Sequence, residues 1–519
     1  MPTNANDRLA AELARTGARA AFGVPGGGAN LEMVGALQRH GLRFVLAHGE
    51  TAACIMASTY GFLTGSVSAA VVTRGPGVAA AANGAAQATL DRQPLVLVSD
   101  AVAQDDRHRV AHQRIDQRAL MSAVCKRSTA LGDRSAMSAP ALAASWPPGC
   151  VHLDQDQTTG AVSWSTTAPA ARTGGADAVA AAVAAADRPV AVVGAAALPR
   201  AEAVASALAQ FGVPTFTTYQ SIGLIPSESS INAGLFTNGA SEAALLERAD
   251  LIALIGVDMV EPIPARWRYT VPVVSIAPVP TVDAYAPITH EVIGDVGELS
   301  ARCLSGGHSW SPDAGADHRE AVRARLRLVE RDGLGPTAVV DEVASWAAEQ
   351  PDLTVTVDAG AHFLAIMPLW PVAEPRRLLI SNGLATMGYA LPAAIGAAIA
   401  RPNARLLAFV GDGGLGMSLA ELETVVRLEL PITVVVFNDA LLSLIRIKQG
   451  ADHGGPDAVA YAPTDFAAVA EATGMRGVVA RDRSELAAAL ASAGGRAPML
   501  VDVRVDPGAY PHLMRVTRG

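Results

Sequence analysis

Short apolar runs alternate with helix-patterned stretches along the whole chain, and this alternation narrows the fold more than any other feature. The runs fall at residues 43–47, 69–73, 95–99 and 150–153, then 189–193, 214–217, 251–255 and 273–276, then 354–357, 406–410, 432–437 and 499–505. Runs of roughly four to eight apolar residues without polar alternation suit strands buried on both faces. Helices between them would cover the two faces of parallel sheets. Two stretches interrupt the pattern, one containing Ser, Thr and Gly at 165–175 and one rich in Gly, Ser and Asp at 305–317. Read as linkers, they divide the 519 residues into three α/β domains, each a doubly wound parallel sheet. The length agrees, at roughly 150 residues per domain. Ala-rich segments such as 179–186 read as helices packed closely through small side chains.

Composition sets aside several function classes. With 50% hydrophobic and 17% charged residues, the chain can bury a sizeable core. A net charge of −9 argues against nucleic acid as the main partner. Cys54, Cys125, Cys150 and Cys303 form no CxxC pair, so neither a zinc site nor a disulfide framework is expected. The polar start, residues 1–8, leads into no apolar segment of the signal-peptide kind. No apolar run reaches the roughly 18 residues that a membrane span needs. A soluble cytoplasmic protein with no membrane partner is the expectation.

The most informative segment is Gly411-Asp412-Gly413-Gly414, directly after the apolar run 406–410. A glycine turn at a strand end leaves backbone N–H groups free to face phosphate oxygens. Asp412 puts a hard oxygen ligand beside them. Between Gly413 and Asn438 stand 24 residues, Gly414 to Phe437. In that interval 417–430 fits a helix and 432–437 the next strand. One βαβ unit therefore brings Asp412 and Asn438 to strand ends on one side of a sheet, where ligands of open α/β folds bind. An acid with an amide carbonyl suits Mg²⁺, which prefers oxygen ligands and shares its shell with phosphates. A glycine turn with a surface Asp is the bland alternative, and Asn438 at this spacing weakens it.

Upstream stands Leu46-Ala47-His48-Gly49-Glu50-Thr51-Ala52-Ala53, followed by Tyr60-Gly61 and Thr64-Gly65. A third motif runs from Gly383 through Leu384, Ala385, Thr386, Met387 and Gly388 to Gly396, and a fourth is Asp358-Ala359-Gly360-Ala361-His362. Together with GDG and its partner Asn, these motifs resemble the thiamine-diphosphate (ThDP) enzymes, with the closest likeness to acetolactate synthases and related 2-oxo acid decarboxylases. Phe22-Gly23-Val24-Pro25-Gly26-Gly27 and the central Ile255-Gly256-Val257-Asp258 extend the resemblance over nearly the whole chain.

The resemblance implies a pyrimidine-binding domain at 1–165, a central domain at 176–305 and a diphosphate-binding domain at 330–519. It implies Mg²⁺ held by Asp412, Asn438 and the backbone carbonyl of Ala440. It also implies ThDP contacts from Glu50, His362, Ala385, Met387, Gly411, Asp412, Gly413, Gly414, Asn438, Ala440, Leu441 and Leu442. In the family, a Glu at the Glu50 position hydrogen-bonds the aminopyrimidine and helps remove the thiazolium proton. Without the other motifs, Glu50 would read equally as an acid at a helix N-terminus. Met387 takes the place of the apolar residue that wedges beneath the cofactor. Ala385, Ala390 and Ala440 stand where the family often has glycine; for Ala440 little is expected to change, since a carbonyl ligand needs no particular side chain. His362 reads either as a phosphate donor or as a structural turn residue. The family also implies at least a dimer, as a homodimer or homotetramer whose sites are completed across subunits.

The substrate is less legible. Gly27, Arg74, His112, Gln113 and Leu444 are the candidate substrate contacts, with His112 and Gln113 the polar groups that would also act in catalysis. Arg74 could pair with a substrate carboxylate in bidentate fashion or cap a strand end. Arg107, Arg109, Arg114 and Arg118 form a basic run that reads either as a solvated face or as an attraction for an anionic substrate. The expected reaction is decarboxylation of a 2-oxo acid and transfer of the acyl carbanion to a second carbonyl compound. The alternative is a decarboxylase or other C–C lyase that releases an aldehyde. A catalytically dead binding protein of the same fold is disfavoured by Glu50, Asp412 and Asn438. A flavin-dependent relative is disfavoured because Val193-Gly194-Ala195-Ala196 is not a glycine-rich nucleotide loop.

Overall fold

A computed structural model describes residues 4–102, 110–132, 138–155, 175–263, 265–281, 286–328, 334–350, 352–449, 455–493 and 497–519. Three parallel sheets of six strands follow one another along the chain. The first holds β1 (Ala20–Val24), β2 (Arg43–Leu46), β3 (Ser68–Val72), β4 (Leu95–Ser99), β5 (Arg127–Ala130) and β6 (Cys150–Asp154), in the order 2-1-3-4-6-5. The second holds β7 (Pro189–Val193), β8 (Thr215–Thr217), β9 (Asn232–Leu235), β10 (Leu251–Ile255), β11 (Val273–Ala277) and β12 (Ile288–Ile293), in the order 12-11-10-7-8-9. The third holds β13 (Thr354–Val357), β14 (Leu378–Ile380), β15 (Leu406–Gly411), β16 (Ile432–Asn438), β17 (Arg476–Ala480) and β18 (Met499–Arg504), in the order 14-13-15-16-18-17.

The first and third sheets therefore share one strand order. In each, the chain leaves its first strand for the second on one side, then crosses back to the third on the other. Strand ends at such a switch point open a crevice. In the third sheet this puts the ends of β13 and β15, Asp358 and Gly411-Asp412, beside each other.

The two outer units share a hydrophobic core. Helix Glu50–Thr64 of the first packs on helix Ala390–Ala400 of the third, and Met56 and Ala57 join Leu391, Ala394 and Ile395 in one buried cluster. A Cβ on Gly396 would stand 2.4 Å from the Met56 carbonyl oxygen, so the helices meet at backbone distance. Small residues on both faces make that approach possible.

Two expectations need correction. Residues 305–317 are not all linker, because a helix runs from Ala314 to Arg327. Trp310 is buried and donates from Nε1 to the Pro189 carbonyl at 2.9 Å, and a Cβ on Gly315 would meet the Ile231 carbonyl at 2.4 Å. The small residues here serve close packing on the second sheet. The single helix expected at 417–430 is two helices, Asp412–Ser418 and Glu421–Arg427. The first begins at Asp412 because the chain enters the helix directly from β15. The linker expected at 165–175 lies outside the described residues except for its last residue, as do Arg107 and Arg109.

Candidate functional site

The site is clearest at the carboxyl ends of β15 and β16. Gly411 ends β15 in extended conformation, and Asp412 opens the following helix. Asp412 is 7% exposed; its Oδ1 accepts the Gly413 N–H at 2.7 Å, while Oδ2 is buried without a protein partner. Burial, with Asp439 nearby, pushes its carboxyl up to about 6, and the N–H groups of Gly413, Ala440 and Leu441 pull the other way. A buried carboxylate oxygen left without a donor is costly unless something else pairs with it.

Asn438 ends β16, paired alongside β15. Its Nδ2 donates to the Thr464 carbonyl at 2.9 Å and to Asp502 Oδ1 at 2.8 Å. Those two acceptors fix the amide, turning Oδ1 away from both. Ala440 has φ of +57°, and its carbonyl accepts the Tyr461 N–H at 2.8 Å, leaving a second lone pair. Among the described residues, no three His, Cys, Asp or Glu side chains converge as a metal cluster. The oxygens here come from one carboxylate, one amide and one main-chain carbonyl, a hard donor set that fits Mg²⁺.

Apolar side chains converge on the same turn. A Cβ on Gly413 would lie 3.1 Å from Leu442 Cδ2, 3.3 Å from the Tyr461 ring and 3.4 Å from Met387 Cε. Asp358, fully buried at the end of β13, ties the Met387 loop to the glycine turn. It accepts the Gly388 N–H at 2.9 Å, and its Oδ2 would be 2.9 Å from a Cβ on Gly414. Burial pushes the Asp358 carboxyl up to about 7. His362 is 2% exposed, stacks on Phe437 at 5.4 Å and lies beside Gly411, with Nε2 unpartnered. Burial holds its ring down to about 4, so it is neutral near pH 7.

The alanines at glycine-favoured positions keep the backbone that glycine would supply. Ala385 and Ala440 have φ of +54° and +57°. Left-handed backbone costs an L-residue about 1 kcal/mol or more. At Ala440 the side chain that needs no role in a carbonyl ligand still brings this backbone strain. Ala390, by contrast, sits fully buried at the start of a regular helix.

The upstream motif presents Glu50 as the first residue of its helix, half-buried, with Oε1 3.4 Å from where a Cβ on Gly77 would stand. Gly27 faces open space. Arg74 has a protein partner: its Nη1 lies 3.4 Å from Asp100 Oδ2. Gln113, at φ +56°, passes its backbone close to Gly75. His112 and Gln113 are both exposed. Arg74 and Gln113 line a cavity of about 340 Å³ with Arg114, Asp116, Gln117 and Arg118. Arg118 pairs with buried Asp154 at 2.8 Å. Leu441 holds an N–H bond to Asp439 Oδ1, and Leu444 packs against the hydrophobic core that contains Trp370 and Phe437.

Sequence reasoning passed over several participants. Tyr461 has no motif and enters only because the antiparallel bridge of its neighbour Ala460 to Leu441 brings it back beside Ala440. Glu421 and Glu261 are buried acids in unremarkable sequence, visible only through what they touch. In the second sheet the chain leaves β7 for β8 on one side and returns to β10 on the other, so β7 and β10 flank a switch point. There the Glu261 carboxylate accepts the Ala195 N–H at 3.0 Å, the Asp258 N–H at 2.9 Å and the Thr218 hydroxyl. Burial pushes it up to about 7.

The comparisons with known proteins agree along the chain. Family models described as the N-terminal TPP binding, central and C-terminal TPP binding domains of thiamine pyrophosphate enzymes match residues 3–120, 176–302 and 358–503. An acetolactate synthase of Bacillus subtilis (strain 168) is 30% identical across 95% of this chain and 92% of its own length. A catabolic acetolactate synthase of Raoultella terrigena is 31% identical across 98% and 96%. A 2-hydroxyacyl-CoA lyase of Oryza sativa subsp. japonica is 28% identical across 96% and 94%.

Proposed function

Because the chain belongs to the thiamine pyrophosphate enzymes, we propose that it is a ThDP- and Mg²⁺-dependent carboligase that decarboxylates a 2-oxo acid and transfers the acyl carbanion to a second carbonyl compound. The observation that carries this reading is the turn at Asp412, where an unpartnered buried carboxylate oxygen faces the Ala440 loop and Met387, Leu442 and Tyr461 crowd the glycines. Asp412 Oδ2, Asn438 Oδ1 and the Ala440 carbonyl would hold the metal, and the Gly411–Gly414 backbone and His362 would face the diphosphate. ThDP, when bound, supplies the electron sink that a 2-oxo acid needs to lose CO₂. Glu50 would hold and return a proton at the pyrimidine. Met387, Leu442 and Tyr461 would exclude water.

Transfer is favoured over simple release by the loop after Asn438. Its one acid, Asp439, spends its carboxylate on the Leu441 N–H at 3.0 Å and the Ser443 hydroxyl at 2.5 Å. That wall therefore offers no free acid to quench a carbanion. Incubation with pyruvate and other 2-oxo acids, with and without acceptor aldehydes, should yield hydroxy-ketone condensation products. Free aldehyde alone, even with excess acceptor, would leave the lyase reading, in line with the name of the rice relative.

Glu261 bears on the second cofactor. Dinucleotide phosphates bind backbone N–H groups at a switch point like that between β7 and β10. Here a carboxylate of the chain already takes those N–H groups, and a Cβ on Gly194 would stand 2.6 Å from it. The purified protein is expected to show no flavin absorption band and no stimulation of turnover by added flavin. A stoichiometric yellow chromophore would refute this.

A further inference from the structure

We propose that Glu421 is a positioning residue for Glu50, clamping from the third-sheet unit the backbone that delivers Glu50 to the site. This rests on the reading of Glu50 above. Glu421 is 2% exposed and opens the helix that follows the one opened by Asp412. Its Oε1 accepts the N–H of His48 and the N–H of Gly49, each at 3.0 Å, and its Oε2 accepts the Thr424 hydroxyl at 2.8 Å. The same short helix grips the strand exit twice more. Glu423 meets His48 Nε2 at 2.7 Å, and Arg427 donates to the Leu46 carbonyl at 2.7 Å. Gly49 is the N-cap of the Glu50 helix and carries no side chain to cap it. The buried carboxylate therefore fixes the entry of the chain into the helix and sets its negative charge against the helix N-terminus.

The body of the Glu50 helix is already held by its packing on helix Ala390–Ala400. What remains for Glu421 to fix is the direction of the residues immediately before Glu50. A small shift there moves a proton-transferring group out of register, which lowers turnover more than it lowers stability.

The test compares Glu421→Ala and Glu421→Gln in the full chain. Alanine removes the acceptor; glutamine keeps a carbonyl for the same two N–H groups. Glu421→Ala is expected to lower kcat by about tenfold or more while KM for the 2-oxo acid changes less than about threefold. In the cofactor-free protein it should also speed amide exchange across residues 46–54, with the thermal midpoint near that of the parent. Glu421→Gln should recover most of both. Glu421→Asp, one methylene shorter, carries the same expectation as alanine should that variant not fold. Unchanged kcat, loss of kcat with unaltered exchange at 46–54, or a glutamine variant as impaired as alanine would each overturn the proposal. A fully active Glu50→Gln would instead remove the reading beneath it, and that outcome is separately observed.

Discussion

Replacing Glu50 with glutamine is expected to lower turnover by about two orders of magnitude or more while leaving cofactor binding largely intact. Glutamine matches glutamate in volume and still hydrogen-bonds. The half-buried position beside Gly77, where a Cβ would come within 3.4 Å of Oε1, should therefore accept it without repacking. What glutamine cannot do is take up and return a proton. A general acid–base role is lost outright, whereas a helix N-terminal charge is worth only about 0.3–1 kcal/mol to stability. CO₂ release from the preferred 2-oxo acid measures the first quantity, and calorimetric titration with ThDP and Mg²⁺ measures the second. Near-normal turnover would return Glu50 to the role of a helix-end acid.

The order of the elements was legible because parallel strands buried on both faces must be apolar throughout. Runs such as 251–255 and 432–437 could hardly be anything else. The strands that escaped notice are mostly short or lie at sheet edges. In β12 and β17 all but one residue is exposed or half-buried, and β14 is three residues long. β1 is an exception: it is central, and Ala and Gly supply three of its five residues, so it carries little apolar signal. The candidate site was legible where the proposed chemistry demands residue types in sequence order, as at Asp412 and Asn438. It was not legible where contact depends on tertiary closure. Glu421 acts on His48 across a separation of 373 residues, and although His48 lies in the Glu50 motif no local pattern marks Glu421 as its partner. Nor could the left-handed backbone at Ala385 and Ala440 be read from alanine, a residue that rarely adopts it.

Asp412→Ala is expected to separate stability from function. In the unliganded chain Asp412 is an expense. Its Oδ2 is buried without a donor, and Asp439 repels it. Burial and Asp439 outweigh the N–H groups of Gly413, Ala440 and Leu441, so removing this carboxylate should cost little and can stabilise. The cofactor-free variant should therefore unfold at the same temperature as the parent or above it. Function should move the other way. Of the oxygens proposed for the metal, Asp412 alone carries formal charge, and neutral Asn438 and Ala440 cannot offset a divalent ion and a diphosphate together. Mg²⁺-dependent affinity for ThDP should fall by about two orders of magnitude or more, at least the scale seen when a mere supporting partner of a metal ligand is lost. The thermal shift that ligand binding gives the parent should vanish with it. Melting curves with and without ThDP, Mg²⁺ and a chelator report both effects on one sample. A variant that melts early yet keeps a chelator-sensitive shift would assign Asp412 to the start of its helix and leave the metal site without its charged ligand.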